Sequence, residues 1–231
     1  MTKVTCGVLL ILAAVIPASA TVISSPSDPA YLNTMLIDPT TVVGYPDGST
    51  LTAFSSGGLT VDAGPGEGAT WYQDSDGLGP ASDAILIATD PTGSTYLTSL
   101  MLEFSSPVTV FGFQALPGDF DQAYNITANF YASSDGTGSA LDTITKSLTG
   151  SEPVLALAGW GFFGDQNSAI GSVVITTTDN GTGPGPYDTG GFALSELRYG
   201  TDAAVPEPST SLLLAAGLLG LGLVSRRRLA R

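Results

Sequence analysis

The chain has 231 residues, of which 21 are acidic and only seven are basic, and it contains no histidine and a single cysteine. Without histidine it has neither a Ser-His-Asp site nor a histidine-liganded zinc centre. Its formal net charge of −14 excludes nucleic acid as a partner, because phosphate binding depends on clustered Lys and Arg.

The N-terminal residues have the three parts of a secretory signal peptide. Lys3 gives a positive start, Val8–Ile16 is apolar, and Ala18-Ser19-Ala20 supplies the small residues of a cleavage site. A membrane helix is the alternative, but the apolar stretch is shorter than the roughly 20 residues that a span needs. We expect residues 1–20 to be removed after Ala20, and Cys6 with them.

The chain that remains after this cleavage has no cysteine, so its fold must depend on a hydrophobic core without disulfides. Residues 21–204 hold 20 acidic residues, whereas Lys146 and Arg198 are their only basic ones, which gives a formal balance of −18. Such a surface favours solubility outside the cell and is compatible with divalent cations. We expect one domain over residues 21–200, followed by a tether and tail motif at 201–208.

Short stretches that alternate with a period of two, rich in β-branched and aromatic residues, predict β-strands in this domain. The clearest is the run in which Ile126, Ala128 and Phe130 alternate with Thr127 and Asn129. About ten strands with turn-rich links indicate an all-β fold, an antiparallel β-sandwich or jelly roll. The predicted strands are Ser49–Phe54, Ala84–Ala88, Tyr96–Phe104, Val108–Phe113, Ile126–Ala132, Leu141–Leu148, Val154–Phe163, Val173–Thr176 and Phe192–Tyr199.

Two links between the predicted strands are rich in glycine and proline. These are Gly57–Gly68 and Asp179–Gly191, and both are predicted to be surface loops. Loops of this length often carry function.

Aromatic residues near acidic turns suggest a carbohydrate site. Trp71 and Tyr72 lie beside such a turn, where an exposed ring stacks on a sugar while carboxylates bind its hydroxyl groups. Core packing is the alternative, because it accounts for most Trp and Phe residues of a β-sandwich. We expect core packing for Trp160, Phe162 and Phe163, and we leave both alternatives open for Trp71.

Two short acidic patterns are candidate calcium sites. Asp74 and Asp76 precede Gly77, and Asp119 and Asp121 follow Gly118, so each pattern places two carboxylates two residues apart beside a glycine. Hard oxygen ligands on a turn suit Ca²⁺, although neither pattern is an EF-hand loop. Asp and Gly are also ordinary turn residues, and two surface turns without metal are the alternative.

The C-terminal residues form a tail with three parts in a fixed order. The motif Val205-Pro206-Glu207-Pro208 comes first, an apolar run from Leu212 to Val224 follows, and Arg226-Arg227-Arg228 closes the tail. The run predicts a membrane segment over 209–225, with 226–231 as a basic stop on the cytoplasmic side. Its apolar core of about 13 residues rises roughly 20 Å as a helix, which makes it a marginal permanent anchor.

This tail resembles the PEP-CTERM sorting tail of Gram-negative, biofilm-forming bacteria. The resemblance implies export through the inner membrane, transient anchoring there, and cleavage near Val205–Pro208 by an exosortase-type processing enzyme. It implies a final location at the cell surface or outside the cell. A permanently anchored surface protein is the alternative.

The domain also resembles exported β-sandwich ectodomains that carry this tail. Phe104–Phe113 is similar to their "F-x-x-P-V-x-x-F-G-F" strand pair, and Gly191–Tyr199 is similar to their closing strand, with Ser195 where an aspartate is common. Asp135-Gly136-Thr137 lies at the position of a turn between them. These ectodomains are similar in shape to carbohydrate-binding sandwiches, but shape alone does not establish sugar binding.

The combined features predict a non-catalytic surface or extracellular-matrix protein, with extracellular polysaccharide as a candidate partner and Ca²⁺ as a candidate ligand. The expected mature chain contains no nucleophile and base pattern built on His or Cys, so no catalytic residue is assigned. A secreted glycosidase is the alternative, because that chemistry needs only two well-spaced carboxylates.

Overall fold

The structure is a computed structural model that describes residues 21–37, 48–73, 84–119, 122–149, 160–181 and 190–201. These residues form an antiparallel, almost entirely β fold, as the alternating sequence pattern predicts. The elements are β1 (Thr21–Ile23), α1 (Pro29–Leu32), β2 (Met35–Leu36), β3 (Thr50–Leu51), β4 (Ala53–Ser56), β5 (Leu59–Ala63), β6 (Gly68–Gln73), β7 (Ala84–Thr89), β8 (Ser99–Pro117), β9 (Ala123–Tyr131), β10 (Asp142–Thr149), β11 (Gly161–Thr177) and β12 (Phe192–Gly200).

The two longest strands, β8 and β11, join two groups of strands into one sheet. In the first group, the first part of β8 pairs with β5 on one side and with the second part of β11 on the other. The second part of β11 also pairs with β9, and β9 pairs with β10 at the edge of the sheet. The second part of β8 pairs with the first part of β11 and with β12, and β12 continues the sheet to β7, β6 and β3. The strands β8 and β11 therefore run through both halves of a sandwich-like arrangement.

Local irregularities mark the place where these long strands pass from one group to the other. In β11 the register shifts between Gln166 and Ile170 and again before Ser172. On β8 the corresponding residues are Ser105, Ser106 and Pro107, which are exposed. Proline cannot donate a ladder hydrogen bond, so it fits a position where the strand pairing is interrupted. The predicted strand pair at Phe104–Phe113 is thus part of a single long strand.

One large core lies between the two groups of strands. Phe111, Phe113 and Phe163 contribute fully buried rings, and the rings of Phe113 and Phe163 stack with centroids 5.3 Å apart. Burying each such ring contributes roughly 1.5–3 kcal/mol. The other face of β8 is also covered, because Val110 packs with Phe162 in a smaller cluster beneath the N-terminal segment.

The short helix α1 helps to close this second cluster. Asp28 caps it by accepting a hydrogen bond of 2.9 Å from the Ala30 amide, and Pro29 occupies the first turn, where its missing N–H is tolerated. Tyr31 is buried and meets the ring of Phe162 edge to face at 4.8 Å.

Several predicted strands and loops differ from the structure. The stretch Gly57–Gly68, predicted to be a loop, contains β5, because Leu59 and Val61 alternate with exposed polar residues and enter the core. Residues 50–56 form two short strands instead of one, and β6 had not been predicted.

No helix within the described ranges is long and apolar enough to cross a membrane.

Candidate functional site

The terminal segments lie outside the described residues. This applies to the signal-peptide residues with Ala18 and Ala20, to Val205–Pro208, to 209–225 and to Arg226–Arg228. Their assignments therefore rest on sequence.

The aromatic pair Trp71 and Tyr72 is divided between the core and the surface. Both lie on β6, where successive side chains point to opposite faces of the sheet. Trp71 is 5% exposed and belongs to the main core, whereas Tyr72 is 39% exposed. Of the two alternatives left open for Trp71, core packing is the one that the structure shows, because its ring is packed inside. Tyr72 remains available for stacking.

Of the four aspartates in the two predicted calcium patterns, the structure describes only Asp119. Asp74, Asp76 and Asp121 lie outside the described residues. Asp119 is described and is only 4% exposed, so it does not lie on an open surface turn. Its described carboxylate neighbour is Asp179, which is 60 positions away in the sequence.

The Asp119–Asp179 pair forms where the ends of three strands meet. Asp119 follows β8, Asp179 follows β11, and Gly191 immediately precedes β12. The Asp119 amide donates a hydrogen bond of 2.9 Å to Oδ2 of Asp179, and the Gly191 amide donates to the Asp179 carbonyl at 3.1 Å. Both aspartates are buried. The strand ends thus hold two aspartates next to each other and away from water.

The surroundings of this pair supply few donors. The hydroxyl of Tyr124 donates weakly to Oδ2 of Asp119 at 3.4 Å, while Oδ1 of Asp119 is buried and has no hydrogen-bond partner in the described part of the chain. Burial raises the pKa of the Asp179 carboxyl to about 6, and its contact with the Asp119 carboxyl adds to the rise. The position therefore combines two buried carboxyl groups with few hydrogen-bond donors.

A second acidic pair joins β10 to the first part of β11. Asp165 is fully buried, and neither oxygen of its carboxyl group has a hydrogen-bond donor among the described residues. Burial raises the pKa of Asp165 to about 7, and the neighbouring Asp142 carboxyl contributes to the rise. Because two carboxyl groups in contact cannot both ionise without strong repulsion, this pair retains a proton well above the usual pKa of aspartate.

This second pair is part of a face-to-face contact between β10 and β11. Asp142, Ile144, Lys146 and Leu148 share the inward face of β10. The amino group of Lys146 lies 5.6 Å from the centroid of the Phe163 ring. Leu148 lies so close to Gly161 that a Cβ added there would be 2.7 Å from its methyl carbons. β10 therefore lies over the first part of β11.

The predicted closing strand, β12, contains a bulge. Glu196 has a φ of +53°, and the pairing with β8 shifts register between Ser195 and Arg198. The Tyr31 hydroxyl donates to the carbonyl of Glu196, and the Arg198 guanidinium lies 3.2 Å from the Glu196 carboxylate. The bulge is thus held by the N-terminal helix on one side and by an ion pair on the other. The contacts of Glu196 and Arg198 therefore stabilise the bulge, and neither residue belongs to an aspartate pair.

Comparison with known proteins identifies the tail. Residues 204–228 match the PEP-CTERM protein-sorting motif. The chain therefore carries the sorting signal that its sequence predicted. This motif implies export and sorting to the cell surface or extracellular space of a Gram-negative bacterium, with processing by an exosortase.

Similarity outside the tail is low. No curated protein gives a significant match. A crystal structure of a DUF4465 family protein from Bacteroides caccae aligns over 74% of this chain and 100% of that chain, at 10% identity and a TM-score of 0.41. The enzymatically active domain of tailspike protein 4 from bacteriophage CBA120 aligns over 67% of this chain and 19% of that chain, at 13% identity and a TM-score of 0.26. Both TM-scores lie below 0.5, so neither structure indicates a function for this chain.

Sequence reasoning missed Asp142, Asp165 and Asp179 as members of acidic pairs. Asp165 lies two positions after Phe163 and therefore on the same face of its strand, which is a weak sign of an inward-facing carboxylate. For Asp179 no local signal was present, because its partner lies on another strand end.

Proposed function

We propose that this is an exported, non-catalytic protein of the cell surface or extracellular matrix, and that an exosortase cuts its tail. The observation that carries the proposal is the match of residues 204–228 to the PEP-CTERM sorting motif. In this proposal 209–225 holds the chain in the inner membrane during export. Arg226–Arg228 stay on the cytoplasmic side because positive residues favour that side, and Val205–Pro208 lie on the outer side.

The burial of the two aspartate pairs supports a binding or structural role. A glycosidase places its two carboxyl groups about 5–9.5 Å apart, on either side of the bond that it cleaves. Of the paired aspartates, Asp119, Asp165 and Asp179 are instead buried. A polysaccharide chain does not reach buried carboxyl groups, so these two pairs do not support that alternative.

The proposed partner of the domain is an extracellular polysaccharide. An acidic, cysteine-free β domain suits a hydrated matrix, because its charge keeps it soluble. Tyr72 is an exposed aromatic ring of the kind that stacks on a sugar. The domain is proposed to act there as a sandwich or jelly-roll module that binds or adheres without turnover.

Mass spectrometry of the mature C-terminus tests whether an exosortase cuts the tail. We expect protein from the surface and the medium to end near Val205–Pro208. A double variant with Pro206→Ala and Pro208→Ala is expected to retain residues up to Arg231 and to stay in the membrane fraction. Wild-type surface protein that ends at Arg231 would refute cleavage and favour permanent anchoring.

A glycan array and a hydrolysis screen on the same preparation test whether the protein binds polysaccharide without cleaving it. Binding without release of reducing ends is the expected result. Turnover that one Asp or Glu substitution abolishes would overturn it in favour of the glycosidase alternative.

A further inference from the structure

In the described part of the chain, the Asp119–Asp179 pair has no basic side chain as a partner. In residues 21–201 the only basic side chains are Lys146 and Arg198. Arg198 is engaged with Glu196 at 3.2 Å, and Lys146 lies over the ring of Phe163. Neither of these two basic side chains is therefore paired with Asp119 or Asp179.

One oxygen of the pair is positioned to receive a ligand. Asp119 is 4% exposed, and its Oδ1 has no hydrogen-bond partner within the described ranges. A buried carboxylate oxygen without a partner is costly, because it has lost its hydration and gained nothing in return. An ion that supplies this partner would stabilise the folded chain.

Backbone carbonyl groups lie close by. The Gly191 carbonyl accepts a hydrogen bond of 3.0 Å from the Gly118 amide. The Gly190 carbonyl approaches so closely that a Cβ built on Gly118 would lie 2.4 Å from its oxygen. A carbonyl oxygen has two lone pairs and can serve a further ligand. These neutral oxygens therefore pack against the backbone of Gly118, the residue next to Asp119.

We propose that Asp119 and Asp179 form a binding site for a divalent cation, expected to be Ca²⁺, at the junction of β8, β11 and β12. Ca²⁺ accepts carboxylates, backbone carbonyls and water in flexible geometry, whereas Mg²⁺ requires a nearly ideal octahedron. Among the described residues no group of three or more acidic, His or Cys side chains is placed around one metal position, so carbonyls and water complete the coordination. The ion connects the ends of three strands, which goes beyond the sorting function.

The primary test measures the melting temperature of the full-length protein, purified in detergent, against calcium concentration at constant ionic strength. We expect a saturable rise of about 5–10 °C when calcium reaches about 100 times its Kd. Asp119→Asn and Asp179→Asn are each expected to abolish this rise. Asp62→Asn removes an exposed carboxylate of β5 and serves as the matched control, which is expected to retain the full rise.

Terbium luminescence tests the location of the ion even if the asparagine variants do not fold. Tb³⁺ substitutes for Ca²⁺, and nearby tyrosine sensitises its emission. Because the Tyr124 hydroxyl contacts Asp119, we expect sensitised emission that calcium displaces and that Tyr124→Phe reduces.

Three outcomes would overturn the proposal. The first is a wild-type melting temperature that does not respond to calcium. The second is a rise that persists in Asp119→Asn, and the third is terbium emission that Tyr124→Phe leaves unchanged. Failure of this test would not count against the proposed exosortase processing, because tail cleavage is measured independently at the mature C-terminus.

Discussion

Asp142 and Asp165 lie on two strands that face each other, and the half-buried Asp142 is near enough to raise the pKa of Asp165. Asp165 is fully buried, and burial together with the neighbouring Asp142 raises its pKa to about 7. Lys146, on the same inward face of β10, lies over Phe163 and forms no ion pair with either aspartate. The contact between β10 and β11 is therefore expected to depend on a shared proton.

This pair predicts that Asp165→Asn flattens the dependence of stability on pH. The folded state binds a proton up to about pH 7, whereas unfolded aspartate releases it near pH 3.9. The stabilisation is thus complete below about pH 4 and is lost as the pH rises through 7. Melting temperatures between pH 4 and 8 measure the slope, and the variant is expected to gain about 1–3 kcal/mol at pH 8.

Asp62→Asn is the control for this pH experiment, because its side chain is exposed and faces neither member of the pair. It is expected to keep the parental slope. Equal slopes in Asp165→Asn and the parent protein would show that the pair does not retain a proton.

Tyr31→Phe is predicted to weaken the attachment of the N-terminal helix. Burial raises the pKa of Tyr31, so its hydroxyl stays protonated and donates to the carbonyl of Glu196, a residue held in the left-handed region. Removing the hydroxyl leaves that buried carbonyl without this donor, which costs about 1–2 kcal/mol. Thermal or urea unfolding measures the loss, a decrease in Tm of about 2–8 °C.

The matched substitution Tyr96→Phe removes a hydroxyl from an exposed ring. Its Tm is expected to stay within about 1 °C of the parent, because surface changes of this kind rarely exceed about 0.5 kcal/mol. An equal loss in both variants would argue against a specific role for the bond between Tyr31 and Glu196.

Gly171→Ala is predicted to destabilise the bend of β11. A Cβ at this position would lie 2.4 Å from the carbonyl oxygen of Ala132, and backbone cannot move aside as a flexible side chain can. We expect a loss of about 1–3 kcal/mol in the free energy of unfolding, as for other overpacked sites. Gly200→Ala is the control, since its nearest neighbour is the Thr34 methyl at 3.3 Å. A loss as large in Gly200→Ala would contradict the steric explanation.

Tyr72→Ala is predicted to reduce polysaccharide binding by the exported protein. An aromatic ring that stacks on a sugar contributes through its exposed face, and Tyr72 is the exposed member of the pair on β6. Retention on immobilised matrix polysaccharide measures the effect, with Tyr96→Ala as the matched exposed ring. If both variants bind as the parent does, Tyr72 is not part of the ligand surface.

The sequence predicted the elements whose signals are local. A strand such as β9 is recognisable because Ile126, Ala128 and Phe130 recur every second residue, which is the geometry of an extended chain. The tail is recognisable because its three parts are contiguous. Strand β5 was missed because the glycines around Leu59 and Val61 indicated a loop, whereas burial of those two side chains favours pairing with β4 and β8.

The sequence by itself determined the all-β class, the acidic character and the sorting tail, because each follows from residue types or from neighbours along the chain. Only the tertiary structure decided which carboxylates meet. Asp119 meets Asp179 across 60 positions because the residues after β8 and after β11 lie together, and Asp142 approaches Asp165 across 23 positions because β10 lies over the first part of β11. It also decided that Trp71 is buried and Tyr72 exposed, since the sequence did not predict β6 and so did not show which face of that strand the core covers.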